Sequence, residues 1–155
     1  MRTEGDMDER DFMQEALREA MAAYDGGEYP IGAVIVCQGE ILARGRNAED
    51  GNFDPTAHAE IVAIRNACKK LQAPKLKGCT LYTTIYPCPM CEGSIIAAKI
   101  EKVVYGGRTF PFFREVQWGK PSLEIVGPVL DQECRSLFER KLREKGRSDI
   151  LNHGA

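Results

Sequence analysis

Three side chains of the types that bind zinc occur in two short segments of the chain, HAE and PCPMC. His58 lies in the first segment, and Cys88 and Cys91 lie in the second. Imidazole nitrogen and thiolate sulfur are usual ligands of Zn²⁺, and a closed structural site needs four such ligands. One histidine and two cysteines leave the fourth position to be filled from elsewhere in the chain or kept open for chemistry.

Each half of this pattern also has an ordinary interpretation. A lone C-x-x-C occurs in thiol redox proteins, and a lone histidine is usually solvated or hydrogen bonded. The redox interpretation fits poorly, because a thioredoxin-like motif belongs near the first strand–helix unit and Cys88 comes late. Glu60 favours the metal interpretation, since three ligands beside a carboxylate describe a catalytic zinc that holds water. We expect Glu60 to reach that water from the rim of the site and to pass on its proton.

The three ligands can share one ion only if two helix N-termini meet. Apolar residues at helical spacing predict a helix from Ala57 to Leu71, which places His58 in its opening turn. Cys88 and Cys91 lie at the start of the next predicted helix, with Pro89 in its first turn. Free N–H groups and the helix dipole favour thiolates there. Two helices that enter from the same edge of a sheet would bring the ligands together.

The remaining segments alternate between helix and strand patterns. Helical spacing marks Met7 to Tyr24, and Asp131 is predicted to cap a last helix. Asn47 to Pro55 is predicted to be a loop, and Gln38-Gly39 a hairpin turn. The predicted strands are IGAVIVC, EILARG, CTLYTTI, KVVY and LEIVGPVL. This order predicts one α/β domain over 1–155, a three-layer α/β/α sandwich with a mixed five-stranded sheet.

Composition restricts the classes of function. With 43% hydrophobic and 28% charged residues, the 155-residue chain has the proportions of a soluble globular protein. A net charge of −2 argues against a broadly basic nucleic-acid-binding surface and leaves a local basic stripe open. We find no apolar run of the roughly 20 residues that span a membrane, and no secretory signal. We therefore expect a cytoplasmic protein in which the remaining cysteines are plain buried thiols. These are Cys37, Cys68, Cys79 and Cys134.

Five segments of the sequence resemble the cytidine/deoxycytidylate deaminase superfamily: YPIGAVIV, ARGRN, DPTAHAE, LYTTIYPCPMC and VVYGG. The pattern H-x-E…P-C-x-x-C is the signature of zinc nucleobase deaminases. The chain is most similar to the branch of free-cytosine, guanine and tRNA-specific adenosine deaminases. The resemblance implies that His58, Cys88 and Cys91 bind one zinc ion. It also implies that Glu60 shuttles protons while water replaces an exocyclic amine and ammonia leaves.

The resemblance further implies contacts with the substrate. It assigns them to the side chain of Asn47, the backbone N–H of Ala59 and the carbonyl of Tyr86. Phe112 and Trp118, in an aromatic stretch, could stack on a flat ring, although core packing or a subunit contact explains them equally well. His153 near the C-terminus is a further pocket candidate, for which an exposed terminal residue is the simpler interpretation.

The choice of substrate depends on departures from the patterns of each branch. tRNA-acting relatives are expected to have glutamate at Tyr86, and guanine deaminases Gly-Pro-Phe at Tyr29-Pro30-Ile31. These departures favour a small nucleobase-like substrate, with cytosine first, and the resemblance implies a homodimer. The alternatives are adenosine in tRNA, guanine, and a catalytically silent zinc-binding partner subunit. Basic residues in RSLFERKLREKGR could touch phosphates, but the interleaved Glu139 and Glu144 favour a solvated helix face.

Overall fold

Helices and strands alternate along the described part of the chain, residues 6–109 and 123–147 of a computed structural model. In order they are α1 (Glu9–Asp25), β1 (Gly32–Cys37), β2 (Glu40–Arg46), α2 (Glu49–Asn52), α3 (Ala59–Leu71), β3 (Cys79–Ile85), α4 (Pro89–Ala97), β4 (Lys102–Gly107), β5 (Glu124–Val126) and α5 (Asp131–Glu144). None of these helices is both long enough and apolar enough to cross a membrane.

The strands form one sheet in the order β2-β1-β3-β4-β5. β1 pairs antiparallel with β2 and with β3, whereas β3–β4 and β4–β5 are parallel pairs. The β1–β2 hairpin turns at Gln38 and Gly39, whose φ angles of 53° and 79° are those of a type I′ turn. The predicted mixed sheet of five strands is confirmed.

Side chains of the central strands alternate between two separate hydrophobic cores. Val34 on β1 and Tyr82 on β3 pack with residues of α1 and α5. Their neighbours Ile35 and Leu81 point to the opposite face and pack with residues of α3 and α4. Burial on both faces explains why β1 and β3 are nearly continuous apolar runs in the sequence. The predicted three-layer α/β/α sandwich is therefore confirmed.

Gly45 on β2 allows α3 to lie very close to the sheet. A Cβ atom at this position would lie 2.4 Å from the backbone oxygen of Ala59 and 2.4 Å from the backbone nitrogen of Ala63. Only glycine leaves room for backbone atoms at that distance. Because α3 begins at Ala59, this contact sets the height above the sheet of His58 and Glu60.

Several predicted element boundaries are wrong. Within the predicted strand LEIVGPVL, β5 covers only Glu124–Val126. Residues Glu49–Asn52 form the one-turn helix α2 within the segment that was predicted to be a loop. Its formation depends on a carboxylate that is distant in sequence, as described below. Leu130, with φ 57°, is the N-cap of α5, so Asp131 is the first helical residue and not the cap.

The prediction that Cys37 and Cys79 are thiols is also wrong. The two residues lie opposite each other in the β1–β3 ladder with Cα atoms 4.5 Å apart, and they form a disulfide. Antiparallel register brings their side chains together, and the spacing of cysteines along the sequence does not reveal it. Cys68 and Cys134 are free, and Cys134 is fully buried as predicted, whereas Cys68 is partly exposed.

Candidate metal centre and active site

The N-termini of α3 and α4 meet just beyond the end of β3. His58 is the N-cap of α3, Cys88 is the N-cap of α4, and Cys91 lies in the first turn of α4. The Nδ1 atom of His58 lies 3.5 Å from the Sγ of Cys88 and 3.5 Å from the Sγ of Cys91. The structure therefore brings the three candidate ligands to one point.

The distances among these ligand atoms fit a tetrahedral zinc ion. Zn–N and Zn–S bonds of ordinary length, at a tetrahedral angle, place nitrogen about 3.5 Å from sulfur. All three ligand atoms lie within 4.8 Å of one another. No other group of three His, Cys, Asp or Glu side chains in residues 6–109 and 123–147 could hold a metal ion. A nitrogen and two sulfurs leave one tetrahedral corner without a protein ligand, as catalytic zinc sites do.

In the absence of metal, hydrogen bonds among the three candidate ligands shift their pKa values. A hydrogen bond from Cys91 lowers the pKa of Cys88 to about 4, and His58 adds to this effect. The pKa of Cys91 is raised, first by its bond to Cys88 and then by burial. The hydrogen bond to Cys88 raises the pKa of His58. Since zinc requires thiolates and a neutral imidazole, its binding must displace protons from this cluster.

Glu60 is buried beside the ligands and does not lie at the rim of the site as expected. Its side chain is only 4% exposed, and its Oε1 atom has no hydrogen-bond partner among the described residues. His58 has extended backbone angles, φ −73° and ψ 153°, so the divergence of helical i and i+2 side chains does not apply to this pair. Burial raises the pKa of the Glu60 carboxyl to about 7. A buried carboxyl with this pKa can take up and release a proton near neutral pH.

A cavity of about 260 Å³ opens beside His58, Glu60 and Cys88. Its other walls are mostly apolar or aromatic and come from residues far apart in the sequence. They are formed by Tyr29, Ile31, Glu49, Ile85, Tyr86, Phe138, Leu142 and Arg147. Apolar walls that converge on a few polar groups are typical of sites that hold a small molecule.

Of the predicted substrate contacts, Tyr86 lines this cavity, whereas Asn47 and Ala59 are not among its lining residues. Tyr86 forms part of the wall, and the guanidinium carbon of Arg108 lies 4.1 Å from the centre of its ring. Asn47 is 2% exposed and lies next to Glu49, while Ala59 is buried at the first position of α3, where helix N–H groups lack helical partners. Phe112, Trp118 and His153 lie outside the described residues.

Sequence reasoning missed Glu49 and the contribution of α5 to the cavity. Glu49 belongs to a segment that was predicted to be a loop, where an acidic residue is unremarkable. Phe138 and Leu142 follow the helical spacing of core residues, and they are indeed buried. Nothing in that spacing distinguishes a residue that also lines a cavity from one that only fills the core.

Comparison with known proteins decides the family. The family described as the cytidine and deoxycytidylate deaminase zinc-binding region matches residues 6–107, which include all three ligands and Glu60. The chain belongs to this family. It is a zinc-dependent deaminase, and the predicted resemblance is confirmed.

Individual relatives of this deaminase differ in their substrates. It is 40% identical over 153 residues to the tRNA-specific adenosine deaminase of Bacillus subtilis, covering 91% of this chain and 94% of that protein. It resembles a solved structure from a study of A-to-I editing by tRNA:A34 deaminases at the wobble position of transfer RNA. That match has a TM-score of 0.71 and 33% identity, over 81% of this chain and 97% of that one. A structure of guanine deaminase from Bacillus subtilis matches with a TM-score of 0.64 and 44% identity, over 66% of each chain.

Proposed function

We propose that this deaminase converts adenosine in tRNA to inosine, with water as the second substrate and ammonia as the second product. The observation that carries the proposal is the likeness to a tRNA-specific adenosine deaminase along nearly the whole of both chains. This relative favours the tRNA alternative over cytosine, the substrate that the sequence departures suggested. A homodimer and a cytoplasmic location stay predictions from the sequence.

In this proposal the cluster at the two helix N-termini has two roles. His58, Cys88 and Cys91 hold the zinc ion, and zinc in a three-ligand site of this kind lowers the pKa of water toward about 7. Glu60 takes one proton from the attacking water and delivers it to the ring nitrogen, and it then carries the second proton from the added hydroxyl to the amine, which leaves as ammonia. Its burial and its pKa of about 7 support this role, because the same carboxyl must accept and then release a proton.

The cavity walls are compatible with a base that leaves an RNA loop to react. An adenine within a loop must be extruded before its amine can reach the metal site, and apolar or aromatic side chains stack on extruded bases. Arg147 lines the cavity, and Arg108 lies over Tyr86 in the same wall. These guanidinium groups can attract the phosphates that flank the base, although the net charge of the whole chain is −2. Tyr86, the departure from the glutamate expected in tRNA-acting relatives, is a wall residue and leaves the ligand cluster intact.

Guanine is the second candidate substrate, because the chain is 44% identical over 66% of its length to a guanine deaminase structure. A free base needs the same attack by water and the same proton transfers. It does not need the flanking cations, so its turnover should respond little to salt. Turnover of an RNA hairpin should fall steeply with added salt, because contacts between cations and phosphates weaken.

The test compares substrates and one substitution. Zinc-loaded protein is incubated with an anticodon stem-loop that contains adenosine at the wobble position and, separately, with guanine, cytosine and adenosine. Inosine and ammonia are then measured. We expect turnover of the stem-loop, and we expect Glu60→Gln to lower its rate by about 10²–10⁴-fold while zinc is retained. Glu40→Gln, an exposed position on β2, is the matched control and should change nothing.

Each component of the proposal has its own refuting result. Turnover of guanine without turnover of the stem-loop would assign the second candidate, and turnover of cytosine alone would restore the expectation from the sequence. A Glu60→Gln protein that keeps its zinc and more than a tenth of the wild-type rate would remove Glu60 from the proton transfers.

A further inference from the structure

Glu49 lies on the side of His58 that faces away from the two cysteines. Its Oε1 atom is 3.4 Å from the Nε2 of His58, whereas the Nδ1 of His58 faces both sulfurs. A neutral imidazole carries its proton on one ring nitrogen only. A carboxylate this close to Nε2 attracts the proton to that nitrogen, which favours the tautomer in which Nδ1 keeps its lone pair for the metal. Carboxylates in this outer position are known to orient metal-binding histidines.

Glu49 is held in place because a buried carboxylate supports the short helix that carries it. The N-cap of α2 is Ala48, which has no side-chain cap to offer. Glu28, from the segment after α1, caps the helix instead. Its Oε2 atom accepts a hydrogen bond from the backbone N–H of Asp50 at 3.2 Å, and its Oε1 atom accepts one from the backbone N–H of Gly51 at 2.7 Å. Glu28 is only 8% exposed. A one-turn helix is not stable alone, so we attribute the formation of α2 to these bonds.

Asn47 provides a second restraint on the same oxygen of Glu49. With its amide oriented to satisfy its neighbours, the Asn47 nitrogen donates to Glu49 Oε1 at 3.0 Å and to the carbonyl of Ala57 at 3.1 Å. The backbone N–H of Ala48 also donates to Ala57, at 2.9 Å. Glu49 Oε1 therefore lies between a buried amide and the candidate ligand His58, and Ala57 immediately precedes that ligand.

We propose that Glu49 is a positioning residue for the zinc ligand His58, and that Glu28 positions Glu49 through α2. Neither carboxylate belongs to the group of candidate metal ligands. Their effect is to hold the imidazole in the ring orientation and tautomer that bind zinc. This inference rests on the zinc role proposed for His58 and is independent of which base is deaminated.

The rate of zinc release tests the proposal without any substrate. Zinc-loaded protein is mixed with an excess of a chromogenic chelator, and the appearance of the zinc–chelator complex is followed. We expect Glu49→Ala to release zinc about 10–100-fold faster than wild type, because loss of an outer partner lowers metal affinity by about that factor and we assign the loss to the release rate. Glu49→Gln keeps a partly negative oxygen beside Nε2, so it should recover much of this loss. Glu28→Gln should fall between wild type and Glu49→Ala.

Asp50→Asn is the matched control, because it removes one negative charge from the exposed side of the same helix. It should release zinc within twofold of the wild-type rate. If Glu49→Ala does not fold, Glu49→Asp decides the question, since it keeps the charge and withdraws the carboxylate from His58. Release several-fold faster than wild type would then support the proposal.

The inference and the proposed function fail in different ways. If folded Glu49→Ala, or Glu49→Asp in its place, releases zinc at the wild-type rate, the positioning role is refuted, whatever the enzyme does to RNA. Equal acceleration in Glu49→Ala and Asp50→Asn would refute it too, because the effect would then be one of general charge. If wild type holds zinc and deaminates none of the substrates, the proposed function fails while this inference can still hold.

Discussion

Substitution of Gly45 on β2 by alanine should lower activity, because the new side chain would push α3 away from the sheet and displace the residues at its N-terminus. The new Cβ would lie 2.4 Å from two backbone atoms of α3, and ordinary contact begins near 3.4 Å, so α3 must withdraw by about 1 Å. Both atoms belong to a helix backbone, so no side-chain rotation can relieve the clash. His58 and Glu60 would move with the helix, away from Cys88 on α4.

Two effects of this substitution on stability oppose each other. Replacement of glycine by alanine within a strand contributes about 0.5–1 kcal/mol of stability through chain entropy. Overpacking costs about 1–3 kcal/mol. Since rigid backbone atoms make the clash, we expect overpacking to outweigh the entropic gain and the free energy of unfolding to fall by about 1–2 kcal/mol. A misplacement of about 1 Å at a reacting centre costs about 100-fold in rate, so kcat/KM should fall by that factor.

The assay combines urea unfolding of the zinc-loaded protein with initial rates on whichever substrate is established. Gly39→Ala is the matched control, because this hairpin residue has φ +79° and open space around its added Cβ. It should lose about 1–2 kcal/mol through backbone strain and keep its activity. Activity of Gly45→Ala within threefold of wild type would refute the reasoning, as would an equal loss of activity in Gly39→Ala.

Two further predictions concern alkaline pH and metal removal. Burial raises the pKa of Cys134 to about 12, against about 8.5 in an unfolded chain. Between these values the unfolded chain binds fewer protons, so stability should fall by up to about 1.4 kcal/mol per pH unit above pH 8.5. Urea unfolding from pH 7.5 to 10 should show a shallower decline for Cys134→Ala, and parallel slopes would contradict this. Removal of zinc by a chelator should lower the thermal midpoint, because zinc joins α3 to α4 only in the folded state. The free energy of unfolding should fall by about 2.7 kcal/mol if zinc had been at 100 times its Kd. Activity should return with added zinc, and a similar response to chelator in His58→Ala would rule out this explanation.

The layers of the fold and the ligand cluster could be predicted because their signals are local. Helical spacing in α3 and the C-x-x-C spacing at α4 place the ligands at two helix starts, and apolar strands between helices indicate covered faces. Because both helices start at the same edge of the sheet, His58 lies close to the two cysteines.

The features that could not be predicted depend on partners distant in sequence. The helix α2 forms in a polar segment because Glu28, more than 20 residues earlier, caps it. The disulfide depends on the register of β1 against β3, which neither strand encodes alone. The substrate expectation relied on Tyr86 and on Tyr29-Pro30-Ile31, and the Tyr86 ring lies in the cavity wall, where Arg108 packs over it.

The candidate site takes its ligand cluster and part of its cavity wall from different layers of the sandwich. The candidate ligands and Glu60 belong to the face covered by α3 and α4, whereas Phe138, Leu142 and Arg147 come from α5 or the residues after it. Changes in α5 can therefore reshape the cavity without moving a ligand.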